Sequence, residues 1–374
     1  MSASDLRIPS DLLPRDGRFG CGPSKVRPEA VQRLAAVADD LLGTSHRQPR
    51  VRAEVQRLRE GVAQLFGLPD GYEVLVTVGG ATAFWESAAF ALVEQRARHY
   101  AFGEFSGKFA AATAAAPWLE DPDVVTGAPG TRPEATPAPG CDVQAFTHNE
   151  TSTGVMQDPV RLDDALVLVD ATSGAGGLPV DLTATDVYYF SLQKGFAAEG
   201  GLTVALLSPA AVERIERISA SGRYIPTFLD LATALDNSRK QQTYNTPSVS
   251  TVFLAAEQVD WMLDTFGDLA GVVAAQRDKA AVLYGWADAR AWARPFVTDP
   301  NARSLVVATI DLDDDVPGEQ VTAVLRAHGV LDTEPYRKLG RNQLRVGMFP
   351  AIDQADLEAY TACVDHVVSQ LPPS

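Results

Sequence analysis

The sequence predicts an α/β fold: a large unit on a mostly parallel sheet, followed by a smaller carboxy-terminal α+β unit. Three observations carry this expectation. Seven short runs are apolar almost without interruption and rich in Val, Phe, Tyr and Ile, the pattern of strands covered on both faces. An alanine-rich stretch, 81–95, joins the first two runs and reads as a crossover helix. After it, toward the carboxyl end, strand-like and helix-like segments alternate over roughly the last 100 residues.

Taken in order, residues 28–68 read as helical. Ala30, Leu34, Val37 and Leu41, then Val55, Leu58, Val62 and Leu65, fall at helical spacing on either side of the break GTSHRQPR. The strand runs are EVLVTV (73–78), RHYAFG (98–103), DVVTG (123–127), VQAFTH (143–148), ALVLVD (165–170), VYYFSL (187–192) and LTVALL (202–207), which make one seven-stranded sheet. The Pro- and Gly-rich stretch 127–140 is a loop within this unit. Residues 210–242 read as helical and then irregular, and the segment VFLAAEQ…LYGWA as one or two long helices. In the tail, SLVVATIDL is a strand, EQVTAVLRAHGV a helix and QLRVGMFP a strand. The last helix carries Leu357, Tyr360, Val364, Val367 and Leu371 on one stripe. The expected division is 17–265 and 266–374, with residues 1–16 packing on the smaller unit.

Composition excludes several classes. Of 374 residues, 46% are hydrophobic and 21% charged, as in ordinary globular proteins. The formal charge of −16 argues against broad nucleic-acid binding or docking on an anionic membrane. Cys21, Cys141 and Cys363 are odd in number and far apart, so they read as free thiols in a reducing compartment. The first twenty residues hold three Asp and no long apolar stretch, unlike a secretory signal. No run has the roughly 18 apolar residues of a membrane span. A soluble, cytoplasmic protein is expected.

The chemistry points to the carboxyl ends of the strands, where open α/β sheets bind ligands. Asp170 ends one run and Lys194 follows the next. A carboxylate and an amine in one dry pocket suit a pyridoxal phosphate enzyme, although a lysine after a strand is more often a solvated residue and an aspartate there a turn former. VGGATAFWE (78–86) is a Gly-rich turn entering a helix, able to offer backbone N–H groups to a phosphate. It is not GxGxxG, which disfavours a nicotinamide site. Phe105 is either a plate for a flat ring or a core residue. Thr147, Asn149, Thr151, Ser152 and Thr153 form either a hydrogen-bonding loop or a turn. Two basic runs stand out in an acidic chain: His46, Arg47, Arg50 and Arg52, then Arg337, Lys338, Arg341 and Arg345. They shape an anion site or a solvated face. There is no metal-ligand spacing of His and Cys, and no G-x-S-x-G elbow of a serine hydrolase.

Together, FGCGPSKVRPEA, GTSHR, VGGATAFWE, HNETSTG, VDATSGAG, SLQKGF, YNTPS and QLRVGMFPAI resemble, in order, segments of the phosphoserine aminotransferase family. That family lies in the class V group of fold-type I pyridoxal phosphate enzymes. The resemblance implies pyridoxal 5'-phosphate as cofactor, Lys194 as its Schiff-base lysine and Asp170 as partner of the ring nitrogen. It implies Phe105 stacking on the ring, backbone groups of Ala81 and Thr82 on the phosphate, Thr151 on the ring hydroxyl and Gln193 on the phosphate. Asn245 and Thr246 would reach the phosphate in a neighbouring subunit, making a homodimer with shared sites. His46 and Arg47 would hold the substrate's distal anion and Arg345 its α-carboxylate. Better-known members carry Arg where Thr82 stands; the run holding Lys338 and Arg341 is expected to replace that contact. The runner-up readings are a sister transaminase such as an alanine–glyoxylate aminotransferase, and a non-catalytic binding protein on this fold.

Overall fold

Proline punctuates the start of the chain. The computed structural model describes residues 6–371. Helices α1 (Pro28–Leu41) and α2 (Pro49–Leu65) both open on proline, whose missing N–H falls where a helix has no partner for it. The chain continues through β1 (Glu73–Val78), α3 (Gly80–Ala91), β2 (Ala97–Ala101), α4 (Glu104–Ala114), β3 (Asp123–Thr126) and β4 (Val143–Thr147). Then come β5 (Asn149–Glu150), β6 (Val155–Met156), β7 (Leu166–Asp170), β8 (Val187–Ser191), β9 (Leu202–Leu207), α5 (Pro209–Ser219), α6 (Leu231–Ser238) and α7 (Val249–Phe266). The remainder is α8 (Leu269–Asp288), β10 (Ala293–Pro295), β11 (Val307–Leu312), α9 (Gly318–Ala327), β12 (Gln343–Gly347) and α10 (Gln354–Gln370).

The seven expected strands form one sheet in the order β1-β9-β8-β7-β4-β2-β3. The β2–β3, β2–β4, β4–β7 and β7–β8 pairs are parallel. β9 is antiparallel to both β8 and β1. The connection from β8 to β9 covers only residues 192–201, too short for the crossover that a parallel pair needs. β1, reversed again, runs with the parallel strands. The carboxyl ends of β1, β4, β7 and β8 therefore share one edge with the start of β9, and that edge carries the site. β4, β7, β8 and β9 are buried along their whole length, as the unbroken apolar runs require.

One face of the sheet packs on α2, α7 and α8, whose core is continuous with that of the smaller sheet β10-β11-β12. The other face is covered by α3, α4, α5 and α6. α10 buries Leu357, Tyr360, Val364 and Val367, as its stripe predicts. The amino-terminal segment lies against α9 and α10: the Ile8 N–H donates to His328 Nε2 (3.3 Å) and the Asp16 N–H to Asp356 Oδ1 (3.2 Å). The part of the expected packing segment before residue 6 lies outside the described residues. HNETSTG is not a plain loop: β5 and β6 pair across it, and the turn closes on Gly154 at φ +72°. No described helix is long and apolar enough to cross a membrane.

Candidate active site

Lys194 leaves β8 and points into a cavity of about 320 Å³ at the carboxyl edge of the sheet. Its backbone is pinned from a distant part of the chain. The Ser24 hydroxyl donates to the Lys194 carbonyl (2.7 Å) and the Ser24 N–H to the Gln193 carbonyl (2.9 Å). Gly22, at φ +124°, lets the amino-terminal turn pass over the lysine; a Cβ there would stand 2.5 Å from Lys194 Cε. Lys194 Nζ donates to Thr151 Oγ1 (2.9 Å) and lies 5.3 Å from the Phe105 ring centre. Burial pulls this amine down to about 8, against the opposing pull of Asp170 and Glu150.

A second buried lysine shows why geometry must decide. Burial takes Lys279 lower still, to about 7. Its amine, however, donates to Gln276 Oε1 and to the carbonyls of Phe349 and Pro350, and it lines none of this cavity. Lys279 is a structural tie for α8; only Lys194 faces an acid across open space.

That acid is Asp170, at the end of β7 and 3% exposed. Its Oδ1 accepts from the Thr172 N–H (2.9 Å) and its Oδ2 from the indole N–H of Trp85 (2.7 Å). Trp85, on α3, went unnoticed in the sequence because a tryptophan in an apolar helix reads as core.

Phe105 sits in the first turn of α4, a helix with no clear apolar periodicity in the sequence. That turn is built on Glu150, wholly buried, whose Oε2 accepts from the N–H groups of Phe105 (3.1 Å) and Ser106 (2.9 Å) and from the Ser106 hydroxyl (2.8 Å). A carboxylate at a helix amino terminus satisfies free donors and suits the dipole. Glu150 thus fixes the plate that faces Lys194, and it too was missed. Thr151 passes its own proton to Ser173 Oγ (2.8 Å), so its oxygen remains an acceptor for Lys194.

Ala81, Thr82 and Gln193 also line the cavity. Gly79 and Gly80, at φ +119° and +71°, form the tight entry to α3. The Ala81 N–H is already taken by Ser191 Oγ (2.7 Å), a departure from the expectation that it is free for a phosphate. Asn149 Oδ1, Thr172 Oγ1 and Gln193 Oε1 are buried cavity atoms without a partner among the described residues, so the lining calls for a polar occupant.

The basic runs behave differently. Arg345, on β12, reaches the edge of the site, where Nη1 donates to the Thr151 carbonyl (3.3 Å) and Nε is buried without a partner. Lys338 and Arg341 do not line the cavity, against expectation. Lys338 pairs with Glu104 (2.5 Å) and is mostly exposed. Arg341 is held in a fork by Asp311 (3.0 and 2.6 Å) and stacks over Phe296. Their acidic partners, distant in sequence, could not be read from the run itself. His46, Arg47, Asn245 and Thr246 also lie off the cavity of their own chain. They gather on the surface instead: Thr246 Oγ1 meets His46 Nδ1 (3.3 Å), and Arg47 Nη1 donates to Gln242 Oε1 (2.9 Å).

Comparison with known proteins agrees with this geometry. The family described as Aminotransferase class-V matches residues 132–331. The chain is 57% identical to the phosphoserine aminotransferase of Nocardioides sp., over 98% of this chain and 99% of that one. It is 54% identical to that of Corynebacterium glutamicum, over 96% of each. The crystal structure of the phosphoserine aminotransferase of Cytophaga hutchinsonii superposes with a TM-score of 0.86 at 25% identity, over 94% of this chain and 99% of that chain. A buried lysine and aspartate at one strand edge, on this fold and with these relatives, place the chain in the phosphoserine aminotransferase family of the class V aminotransferases.

Proposed function

We propose that this protein transfers an amino group between L-glutamate and 3-phosphohydroxypyruvate, giving 2-oxoglutarate and O-phospho-L-serine, with pyridoxal 5'-phosphate as cofactor. Serine biosynthesis is the setting, with pyridoxine biosynthesis as a second outlet, in the cytoplasm. The observation that carries this reading is the buried Lys194 and Asp170 around one cavity whose lining leaves several polar atoms unpaired.

The residues present fit the cofactor. Lys194 would hold its carbonyl carbon, Asp170 its ring nitrogen, Thr151 its ring hydroxyl and Phe105 one ring face. The first turn of α3, with Thr82, and Gln193 would hold its phosphate. When bound, the cofactor supplies an electron sink for charge developing at the substrate's α-carbon. Lys194 would then do the proton work, its Nζ taking the proton from the substrate's α-carbon and holding it for return within the cavity. An amine drawn down from 10.5 to about 8 suits this task, since far more of it is neutral near pH 7 to 8 than of an ordinary lysine. Arg345 would take the substrate's α-carboxylate as a planar fork. The walls that desolvate Lys194 also keep water from the reacting centre.

We further infer a homodimer in which His46, Arg47, Asn245 and Thr246 of one chain complete the cavity of the other. Three exposed aromatics in the adjoining segment, Tyr224, Phe228 and Tyr244, support this, and the Phe228 ring lies close to Gly79 at the cavity wall. The basic cluster would then meet the distal anion of phosphoserine or glutamate. The boundary between the large and small units is taken at residues 265–266, beside the α7–α8 junction.

The test is a half-reaction. Purified protein loaded with pyridoxal phosphate receives L-phosphoserine, L-glutamate or L-alanine without a keto acid, and the visible absorption of the cofactor is followed. Loss of the band with phosphoserine and glutamate but not alanine is expected. Conversion by alanine alone would transfer the activity to a sister transaminase, and conversion by none would leave a binding protein on this fold.

A further inference from the structure

Asp170 faces two ways. One side looks into the cavity; beside it stands Trp85, 6% exposed, which itself forms part of the cavity wall and stacks near Phe109 of α4 (ring centres 6.2 Å apart). The indole N–H is a donor with no capacity to accept. At 2.7 Å from Oδ2 it makes a short charge-assisted bond, and the Thr172 N–H, equally a pure donor, holds Oδ1. Each carboxylate oxygen thus has a fixed N–H donor, with the buried Tyr189 hydroxyl beside the group, and together they set its plane at the cavity wall. The backbone donor is lost only on substitution by proline, which would also reshape the turn. The indole donor can be removed by itself.

We propose that Trp85 is a positioning residue for the reaction: its N–H holds the Asp170 carboxylate so that Asp170 can keep the cofactor's ring nitrogen protonated. This rests on the proposed role of Asp170. Packing alone would need an aromatic body at this position but not an N–H directed at a buried acid. Phe84, the preceding residue on the same helix, shows the contrast: it stacks on Tyr189 (ring centres 4.2 Å apart) and contributes bulk only. Without the indole bond, Oδ2 loses its N–H donor, the carboxylate is held less firmly in its plane, and the ring nitrogen loses a well-aimed acceptor. The substrate-binding groups are untouched, so the loss falls on kcat and not on KM.

The test compares holoenzymes loaded with pyridoxal phosphate labelled with 15N at the ring nitrogen. Two replacements at position 85 are used: Trp85→Phe, and benzothienylalanine in place of Trp85, which keeps the bicyclic shape and lacks the N–H. Asp170→Asn is the reference for a lost ring-nitrogen partner. Thermal unfolding checks that each variant folds. In both position-85 proteins the 15N resonance is expected to move from the wild-type value toward that of Asp170→Asn. The cofactor dissociation constant should rise, and kcat should fall about tenfold with phosphoserine and glutamate alike, each KM staying within about twofold. An unmoved resonance and unchanged kcat in the benzothienylalanine protein would overturn the proposal, whatever Trp85→Phe does to folding. If Asp170→Asn itself leaves the resonance at the wild-type position, Asp170 is not the ring-nitrogen partner, and the proposed chemistry falls together with this inference.

Discussion

The carboxyl edge of the large sheet and the two basic runs both hold charged residues, but of opposite character. At the sheet edge, Lys194 and Asp170 are buried, and their neighbours are hydroxyls, an indole and backbone groups. In the basic runs, Lys338, Arg341 and Arg47 are exposed or half-exposed, and each finds a partner from far along the chain. Burial makes the first pair chemically unusual, because desolvation disfavours a lone charge and leaves it waiting for an occupant. Exposure makes the second set ordinary, because an exposed ion pair contributes little and is easily exchanged. A motif's charge is thus a poor guide to function until its solvent exposure is known.

The largest effect should come from Lys194→Ala. Turnover should fall by about a thousandfold or more, the range of a lost general acid–base group, with the fold retained. Steady-state kinetics with thermal unfolding would check this; sustained turnover would remove Lys194 from the chemistry and erase the contrast between the two regions.

Glu150→Ala comes next. It leaves the Phe105 and Ser106 N–H groups buried without an acceptor and should destabilise the protein by about 3 kcal/mol. The urea midpoint should drop with an unchanged slope.

The contrast sharpens if the exposed cluster serves the other subunit's site. Lys194→Ala and Arg47→Ala chains, inactive or weak separately, should regain activity when mixed and reassociated, because one site per dimer then holds both Lys194 and a partner's Arg47. Random reassociation of equal amounts makes about half of the dimers mixed, each with one of two sites restored, so about a quarter of wild-type activity is expected. No gain on mixing would confine each site to one chain.

Arg341→Ala should cost about 1–2 kcal/mol by leaving buried Asp311 with fewer donors, with little change in KM for phosphoserine. Lys338→Ala should change neither the unfolding midpoint nor that KM. A rise in KM for phosphoserine but not alanine in either variant would return these residues to the substrate site.

A further effect is a pH dependence in the cofactor-free protein. Burial lowers the Lys194 amine from 10.5 to about 8, so between these values the unfolded chain binds the proton that the folded one has lost. Stability from this group therefore rises as pH increases from about 8 to 10.5, and is lacking below that window. Apo Lys194→Met should be more stable than apo wild type at pH 7, by a margin that narrows toward pH 10. A margin constant with pH would mean the amine titrates normally.

Much of this was legible from sequence. The seven strands appear at or within a few residues of their apolar runs, because a strand buried on both faces needs an unbroken apolar stretch and few other contexts do. β10 escaped notice: three residues show no periodicity. The antiparallel turn of β9 was also hidden, since apolarity records burial and not direction.

What the sequence by itself determined is the order of strands and helices, and with it the positions of Lys194 and Asp170 at strand ends, for these follow from local apolar pattern. What only the tertiary structure decided is which side chains meet across long separations: Trp85 with Asp170, Glu150 with the first turn of α4, Gly22 and Ser24 over Lys194, and Asp311 with Arg341. Such pairings join residues whose types are individually common, so no spacing marks them. For Asp170 and Glu150 the fold does more than pair them: it removes the carboxylate from water and leaves each N–H donor its best hydrogen bond.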